Sequence, residues 1–550
     1  MGDPSPHEYT VRLGRWFSLS LSRGVLIAAI LFWVILVAVV LHRHYAMYPS
    51  YTSFDQGIFN QLFWNGVHGG NIFQSSLSST LSTPVVKDGQ VPEVFYHRLG
   101  QHFTPSLLLW HPIYWLFPSP ITLYILLVTL IAIAGLLLYR LARIYLDVPL
   151  ATIVAGGYYA ANAVIGPSVG NFHDFSQIPL FIFSLLIALE KRCWWLFWLM
   201  AALILLVRED SGIILFSIGF YLLASRRFPR LGLAVCAASF GYVLLVTNVF
   251  MPMFSEDISR RFMMEQFGQY VDGKEASTVQ VILGILSNPL RVLYDLVTPL
   301  GETIQYLLGQ WLPFMFVPAI SPSAWALIAC PLLQTLLRKD PIALSINLRY
   351  ALTLVPGLCY GTILWWSAHP LAWKPRLRYV WITCLTLSIL FTITSNPNRS
   401  LSWLIPDSIS PRVYLAPAAQ WHHAGIIRSF MAQIPPDASV STTSHIVPHL
   451  SSRREIVRFP ELQLRTDDQE VIQVEYVLLD MKQPQQFQAV FPDERDRLDA
   501  MLKGASRIAD RDYGVMGFAD GVLFLQRGQP SNSGAFDEWK TFQRALKRNS

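Results

Sequence analysis

Asp55 stands in the stretch YPSYTSFDQGIFNQLFWNG, Tyr48 to Gly66, just past the first long apolar run of the chain. A carboxylate among aromatics and amides at a membrane surface can act as a general base or hold a metal. Ser53 or Asp55 followed by Ile58, Phe59, Leu62 and Phe63 also has the spacing of an amphipathic helix start, so a helix-capping role stands beside the catalytic one. Gly57 and Asn60 next to it permit close backbone approach without specifying a purpose.

Two further groups of residues could join Asp55. YHRLGQHF carries His97, Arg98 and His102, and NFHDF carries His173 and Asp174. On one side of a membrane, these imidazoles and carboxylates could converge on a divalent ion or a phosphate, although single interfacial histidines often serve only as amphipathic belt residues. In LLVREDSGI, three charges in a row, Arg208, Glu209 and Asp210, join two apolar runs. Such charges are costly in hydrocarbon and cheap in an outer vestibule or solvated turn. Arg208 suits a phosphate, and Glu209 or Asp210 could orient it or act as a base. SHIVPHLSSRREIVRFP adds His445, His449, Arg453 and Arg454, which packing and surface charge also explain. No GxGxxG, GxxxxGK[ST] or GxSxG occurs, so dinucleotide, P-loop and elbow-hydrolase chemistry have no motif.

The elements that must position these residues are membrane helices. Of 550 residues 53% are hydrophobic and 14% charged, with a mean hydropathy of +0.38, which excludes an ordinary soluble globule. The expected fold class is a polytopic α-helical membrane protein with about eleven transmembrane helices and a C-terminal extramembrane α/β domain. The spans fall at Gly24–Leu41, Ile121–Tyr139, Leu150–Gly166, Phe175–Leu189, Trp194–Val207, Gly212–Ala224, Leu231–Phe250, Thr303–Ile320, Ser323–Leu337, Ala343–Trp366 and Tyr379–Thr394. A cytoplasmic N-terminal segment, 1–23, leads into an uncleaved anchor. The transmembrane domain covers 24–396, the extracytoplasmic domain 416–527 and a polar tail 528–550. With the N-terminus inside, Arg140, Arg143, Lys191, Arg192, Arg226, Arg227, Arg230 and the KPRLR stretch fall on cytoplasmic loops. The net charge of +6 therefore reports orientation and gives no nucleic-acid partner.

The large first outer loop, 43–120, keeps this count only if HFTPSLLLWHPIYWLFP, His102 to Pro118, lies at the interface instead of crossing. In the C-terminal domain EYVLLD reads as a strand, ERDRLDAMLKGA as a helix, and YGVMGFADGVLFLQR as a hairpin turning at Asp520-Gly521. The five cysteines lie in or beside apolar runs without metal-ligand spacing.

FDQGIFNQLFW, HFTPSLLLWHPIYWLFPSP, FHDFSQIPL, LLVREDSG and PHLSSRREIVRFP together resemble the predicted bacterial membrane proteins grouped as domain of unknown function 2079, over roughly Arg43 to Asp480. That family is similar to the GT-C class of membrane glycosyltransferases, which have a cytoplasmic N-terminus, a large first outer loop and an acid near the end of the first span. The resemblance implies Asp55 as catalytic base in an inverting sugar transfer from a polyprenyl-phosphate donor at the plasma membrane. His102, His173, Asp174, Arg208, Glu209 and Asp210 would bind substrate, and a divalent metal is possible. The pattern has an acid near position 60, where this chain has Asn60, so a paired-carboxylate mechanism would recruit Asp174, Glu209 or Asp210. Donor sugar and acceptor stay open. A transporter is the alternative, favoured by the proline-broken QWLPFMFVPAISPSAW, Gln310 to Trp325, and a non-catalytic scaffold is a third.

Overall fold

The computed structural model describes residues 22–549, except 51, 83–84, 86–88, 256–257 and 274. All but the last two residues of the expected cytoplasmic segment lie outside this range. Helix α1, Arg23–Tyr45, is apolar on every side. It buries Val25, Ala29, Phe32 and Leu36 and leaves Ile27, Leu31, Val34 and Ile35 about half exposed, as a helix between protein and lipid must.

Helices occupy all eleven stretches expected to span, but length separates them. Among the described residues five helices are long and apolar enough to cross a membrane: α1, Pro120–Tyr145, Pro229–Phe254, Arg349–Ala368 and Pro375–Thr394. A sixth arises if Val148–Ala160 and Asn162–Ser168, bent by 45°, form one span. Trp194–Leu205, Ser211–Ala224 and Pro322–Leu336 are apolar but shorter. Hydropathy registers an apolar run whether it is one straight helix or is cut by a proline turn, and several runs here are cut.

The stretch 303–320 is one of these. It breaks into Leu300–Trp311, a 3-10 turn at Leu312–Phe314 and Val317–Ile320, with Met315 and Phe316 both left-handed. The Pro313 carbonyl freed by the break accepts the Trp381 indole N–H at 2.9 Å. The interfacial stretch after His102 folds as a 3-10 turn, Pro105–Leu109, and a short helix, His111–Leu116. Leu108, Trp115, Leu116 and Phe117 are exposed there, while Tyr114 is buried and donates to Asn60. The loop 251–302 is more apolar in form than its sequence suggests. Its helices Thr278–Ser287 and Pro289–Asp295 expose Leu283, Leu286, Leu290 and Leu293.

Beyond Pro417–Met431 a mixed five-stranded sheet forms, in the spatial order Ile456–Arg458, Val440–Thr442, Tyr476–Asp480, Val522–Arg527, Tyr513–Ala519. The first three strands are mutually parallel and the last two form the expected hairpin. Asp520 and Gly521 take φ of +50° and +80°, the backbone that a two-residue hairpin turn requires. The polar tail carries a helix, Ser533–Asn549, anchored by a fully buried Trp539 against Phe518. Two apolar faces sandwich the sheet. One is packed by Leu498, Met501 and Trp539; the other shares a continuous hydrophobic cluster with the membrane helices through Val447, Ile456 and Phe524.

Candidate functional site

Asp55 lies in the first turn of helix α2, Ser53–Val67, which packs on the membrane helices with one face and on the C-terminal domain with another. The second contact explains Gly57. A Cβ there would meet Val447 Cγ1 at 2.3 Å, so only glycine lets the two elements close. Asn60, the position at which an acid was expected, serves the same seam: it donates to Ser451 and Ser452 and accepts from Tyr114. Asn60 holds the scaffold together and is not part of an acid pair.

The Asp55 carboxylate is a quarter exposed and engages the Arg349 guanidinium at 2.5 Å. Arg349 begins the turn leading into the Val355–Ala368 helix, nearly three hundred residues away in sequence. Beside this pair the turn between Trp194–Leu205 and Ser211–Ala224 turns inward. Arg208 and Glu209 are 2% and 4% exposed, so the solvated-turn account fails. Arg208 meets Glu209 at 3.2 Å, Asp210 at 3.4 Å and Asp174 at 3.9 Å, and its guanidinium lies over the Phe175 ring. Arg338 reaches Asp210 at 3.5 Å and stacks with Arg349 on Tyr350. Arg98, buried over Phe59, feels the charges of both Asp174 and Asp55.

Buried charge persists only where it is compensated. Four acids, Asp55, Asp174, Glu209 and Asp210, face Arg98, Arg208, Arg338 and Arg349, and the balance shows in their protonation. Burial raises the Asp174 carboxyl, but Arg208, Arg349, His102 and Arg98 outweigh it and hold the group below the ordinary carboxylate range. Burial, then Arg208 and Arg98, press His102 well below the usual imidazole value. Neutral His102 then donates Nδ1–H to Glu209 at 2.9 Å, while Glu209 also accepts the Phe103 amide. Burial and Arg349 push His173 down to about 3.

Residues 43–523 match the family described as a predicted membrane protein, DUF2079. The chain belongs to that family. No curated protein matches it. Among solved structures, ArnT from Cupriavidus metallidurans bound to undecaprenyl phosphate is similar with a TM-score of 0.44 and 11% identity, over 90% of this chain and 97% of that one.

Asp55 and the six residues that the resemblance gave as substrate-binding, His102, His173, Asp174, Arg208, Glu209 and Asp210, lie together in this DUF2079 protein, with unequal freedom. Glu209 is committed to His102 and Phe103, which makes it a strut. Both ring nitrogens of His173, Asp174 Oδ2, Asp210 Oδ1, and the Nε atoms of Arg338, Arg349 and Arg98 are buried without a hydrogen-bond partner. Asp174 Oδ2 and Asp210 Oδ1 face the Arg208 charge, at 3.9 and 3.4 Å, without a hydrogen bond, so this cluster holds more polar groups than its own hydrogen bonds pair. Among the described residues no three His, Cys, Asp or Glu side chains are arranged to hold a metal ion, so the metal considered from the sequence has no ligand set here. His97 has left the group. It stacks on Phe254 and approaches Asn71.

Sequence reasoning missed Arg338, Arg349 and Tyr350, and named Arg98 in its second group without giving it a role. RKD and LRY at span ends look like ordinary boundary charges, and only the fold brings them opposite Asp55 and Asp210. In the C-terminal domain, Arg453 satisfies the carbonyls of Leu450, Pro435 and Ala438, a structural duty. His449 stacks on His44 at 4.1 Å, and His445 donates to Asp480.

Proposed function

We propose that this protein is an inverting membrane glycosyltransferase of GT-C type, moving a sugar from a polyprenyl-phosphate donor to an acceptor hydroxyl outside the cytoplasm. The observation that carries this is the arginine-lined polar cluster around Asp55, flanked by apolar helices. Arg349, Arg208, Arg338 and Arg98 offer the guanidinium forks that suit a phosphate, and Asp55 is the acid least buried and so nearest an incoming acceptor.

The chemistry needs one base and one anion sink. In the resting protein Asp55 and Arg349 neutralise one another. A donor phosphate replaces Asp55 as the partner of Arg349, which frees the carboxylate to take the acceptor proton as the hydroxyl attacks the anomeric carbon. The departing phosphate keeps the bond electrons, and its charge is met by the arginines. A lipid carrier matches the surroundings, because a prenyl chain can lie along apolar helices while its head group enters the cluster.

A transporter would use a helix break to bind its cargo. Here the break at Pro313 is closed by Trp381 and packed against Gly157, whose added Cβ would lie 2.7 Å from the Pro313 carbonyl. The deciding experiment measures sugar transfer from a labelled polyprenyl-phosphate sugar in membranes holding wild type or Asp55→Asn. The variant inserts and accumulates normally and transfer falls by about 10²- to 10⁴-fold, the usual worth of a general base. Equal rates in both remove Asp55 from the chemistry.

A further inference from the structure

At the other end of α2 the surface holds a cavity of about 670 Å³, walled by Trp64, Asn65, His68, Gly70 and Arg454. Its volume falls within the range of about 300–1,000 Å³ typical of small-molecule sites. Trp64 and His68 lie nine and thirteen residues beyond Asp55, so at 1.5 Å per residue the cavity is about 13–20 Å from the acid.

The walls are fixed and their polar atoms incompletely used. Asp467 grips Arg454 at Nε and Nη2, at 2.9 and 2.6 Å, and Nη2 also donates to Gln74 Oε1 at 2.9 Å. The third nitrogen, Nη1, is buried without a partner. Asn65 is 1% exposed; its Nδ2 donates to the Gln74 carbonyl at 2.9 Å, which leaves Oδ1 buried and unpartnered. Gly70 lies between them, and a Cβ there would come within 3.4 Å of both Arg454 Nη1 and the Asn65 side chain. The rings of Trp64 and His68 are stacked at 4.2 Å, 15° from parallel, beside these groups.

Arg454 Nη1, a donor, and Asn65 Oδ1, an acceptor, both lie unpartnered just beneath the wall, and a ligand that settles against it is selected by the pair. A phosphate or carboxylate could accept from Arg454 but would face Asn65 Oδ1 and Asp467 with like-signed oxygens. A cation would face the guanidinium. A hydroxyl donates and accepts at once, and a molecule bearing several of them beside an apolar C–H face also suits the flat rings.

We propose that this cavity binds a neutral saccharide and holds the non-reacting part of a glycan acceptor. Its use by an acceptor rests on the transferase function proposed above; the binding itself does not.

The test is titration of full-length protein in nanodiscs with maltotriose, mannotriose and chitotriose, and with inorganic phosphate as the anionic probe, followed by saturation-transfer NMR. At least one trisaccharide binds saturably and phosphate does not compete. Asn65→Ala and Arg454→Gln each weaken that binding at least tenfold, as does Asn71→Ala at the exposed rim, which cannot fail through core disruption. Asp55→Asn binds the trisaccharide as wild type does, so binding survives even if the transfer experiment finds no role for Asp55. Absence of saturable binding to folded wild type, equal affinity in the three cavity variants, or loss of binding in Asp55→Asn each overturns the proposal.

Discussion

At the scale of single residues, the arginines around Asp55 divide into those that hold the fold and those left for a ligand. Arg208 is 2% exposed and compensates Asp174, Glu209 and Asp210 at once. Replacing it by methionine strands three buried acids, and breaking one buried pair already costs about 3–5 kcal/mol. Arg349 is about a quarter exposed and pairs directly with one acid, itself partly in water, while Asp174 keeps Arg208 and Arg98 without it. The expected outcome is that Arg208→Met fails to accumulate in the membrane, whereas Arg349→Met accumulates near wild-type levels and loses transfer. Quantitative blotting of detergent-extracted monodisperse protein, set beside transfer rates, checks both. If Arg349→Met transfers normally, the Asp55 pair is only a surface salt bridge. His102 belongs with the structural group, since its Nδ1 is spent on Glu209.

At the scale of elements, the helix Pro417–Met431 docks the C-terminal domain on the end of α1. Gln420 donates to the Ala46 and Met47 carbonyls, and Arg428 donates to that of Tyr45. His423 pins the same helix to the sheet, with Nε2 on Asp480 at 3.0 Å and Nδ1 on Asp520 at 2.9 Å. His445 shares Asp480, and Lys482 shares Asp520. Burial disfavours the His423 charge, but Asp480 and then Asp520 outweigh burial and the opposing Lys482, so its pKa rises above 6.5. A raised histidine contributes stability that is complete below about pH 6.5, the unfolded value, and lost as pH climbs through the folded one. Asp480 is held far below its ordinary value, so its share fails only in strong acid. Amide protection of Pro417–Met431, corrected for intrinsic exchange, should therefore fall as pH rises above about 6.5, and His423→Gln should flatten that dependence. These ties were illegible in the sequence because they join residues 35 to 383 positions apart. What was legible had a local cause: the Asp520-Gly521 turn, the apolar runs and the interfacial prolines at Pro105 and Pro112. Span number was not, because hydropathy counts apolar residues and not the breaks at Ala161 or Pro313. The site was half legible. The acids stood out against apolar flanks, whereas Arg338 and Arg349 looked like boundary charges until the fold paired them.

At the scale of the whole molecule, charge and packing give one orientation. Arg227 lies beside Glu190, Tyr145 and Tyr360 at the end of the helices where Lys191, Arg192 and Arg226 also gather. The Asp55 cluster, the saccharide cavity and the C-terminal domain lie around α2, whose Gln56 donates to Pro120, at the other end of the helix that carries Tyr145. The positive-inside expectation assigns the acid cluster and the C-terminal domain to the outer side, which the proposed lipid-linked donor requires. Two single cysteines on a cysteine-free background test this directly. Asp468→Cys, in an exposed turn of the C-terminal domain, is expected to react with a membrane-impermeant maleimide in intact cells. Lys374→Cys, in the exposed KPRLR stretch, should react only after the membrane is opened. The reverse pattern would put Asp55 on the side of soluble nucleotide sugars and remove the reason for a lipid donor. Labelling of both in intact cells would mean that an odd number of spans does not separate Lys374 from Asp468. The helix Pro375–Thr394, 20 residues long, is the segment that has to cross between them.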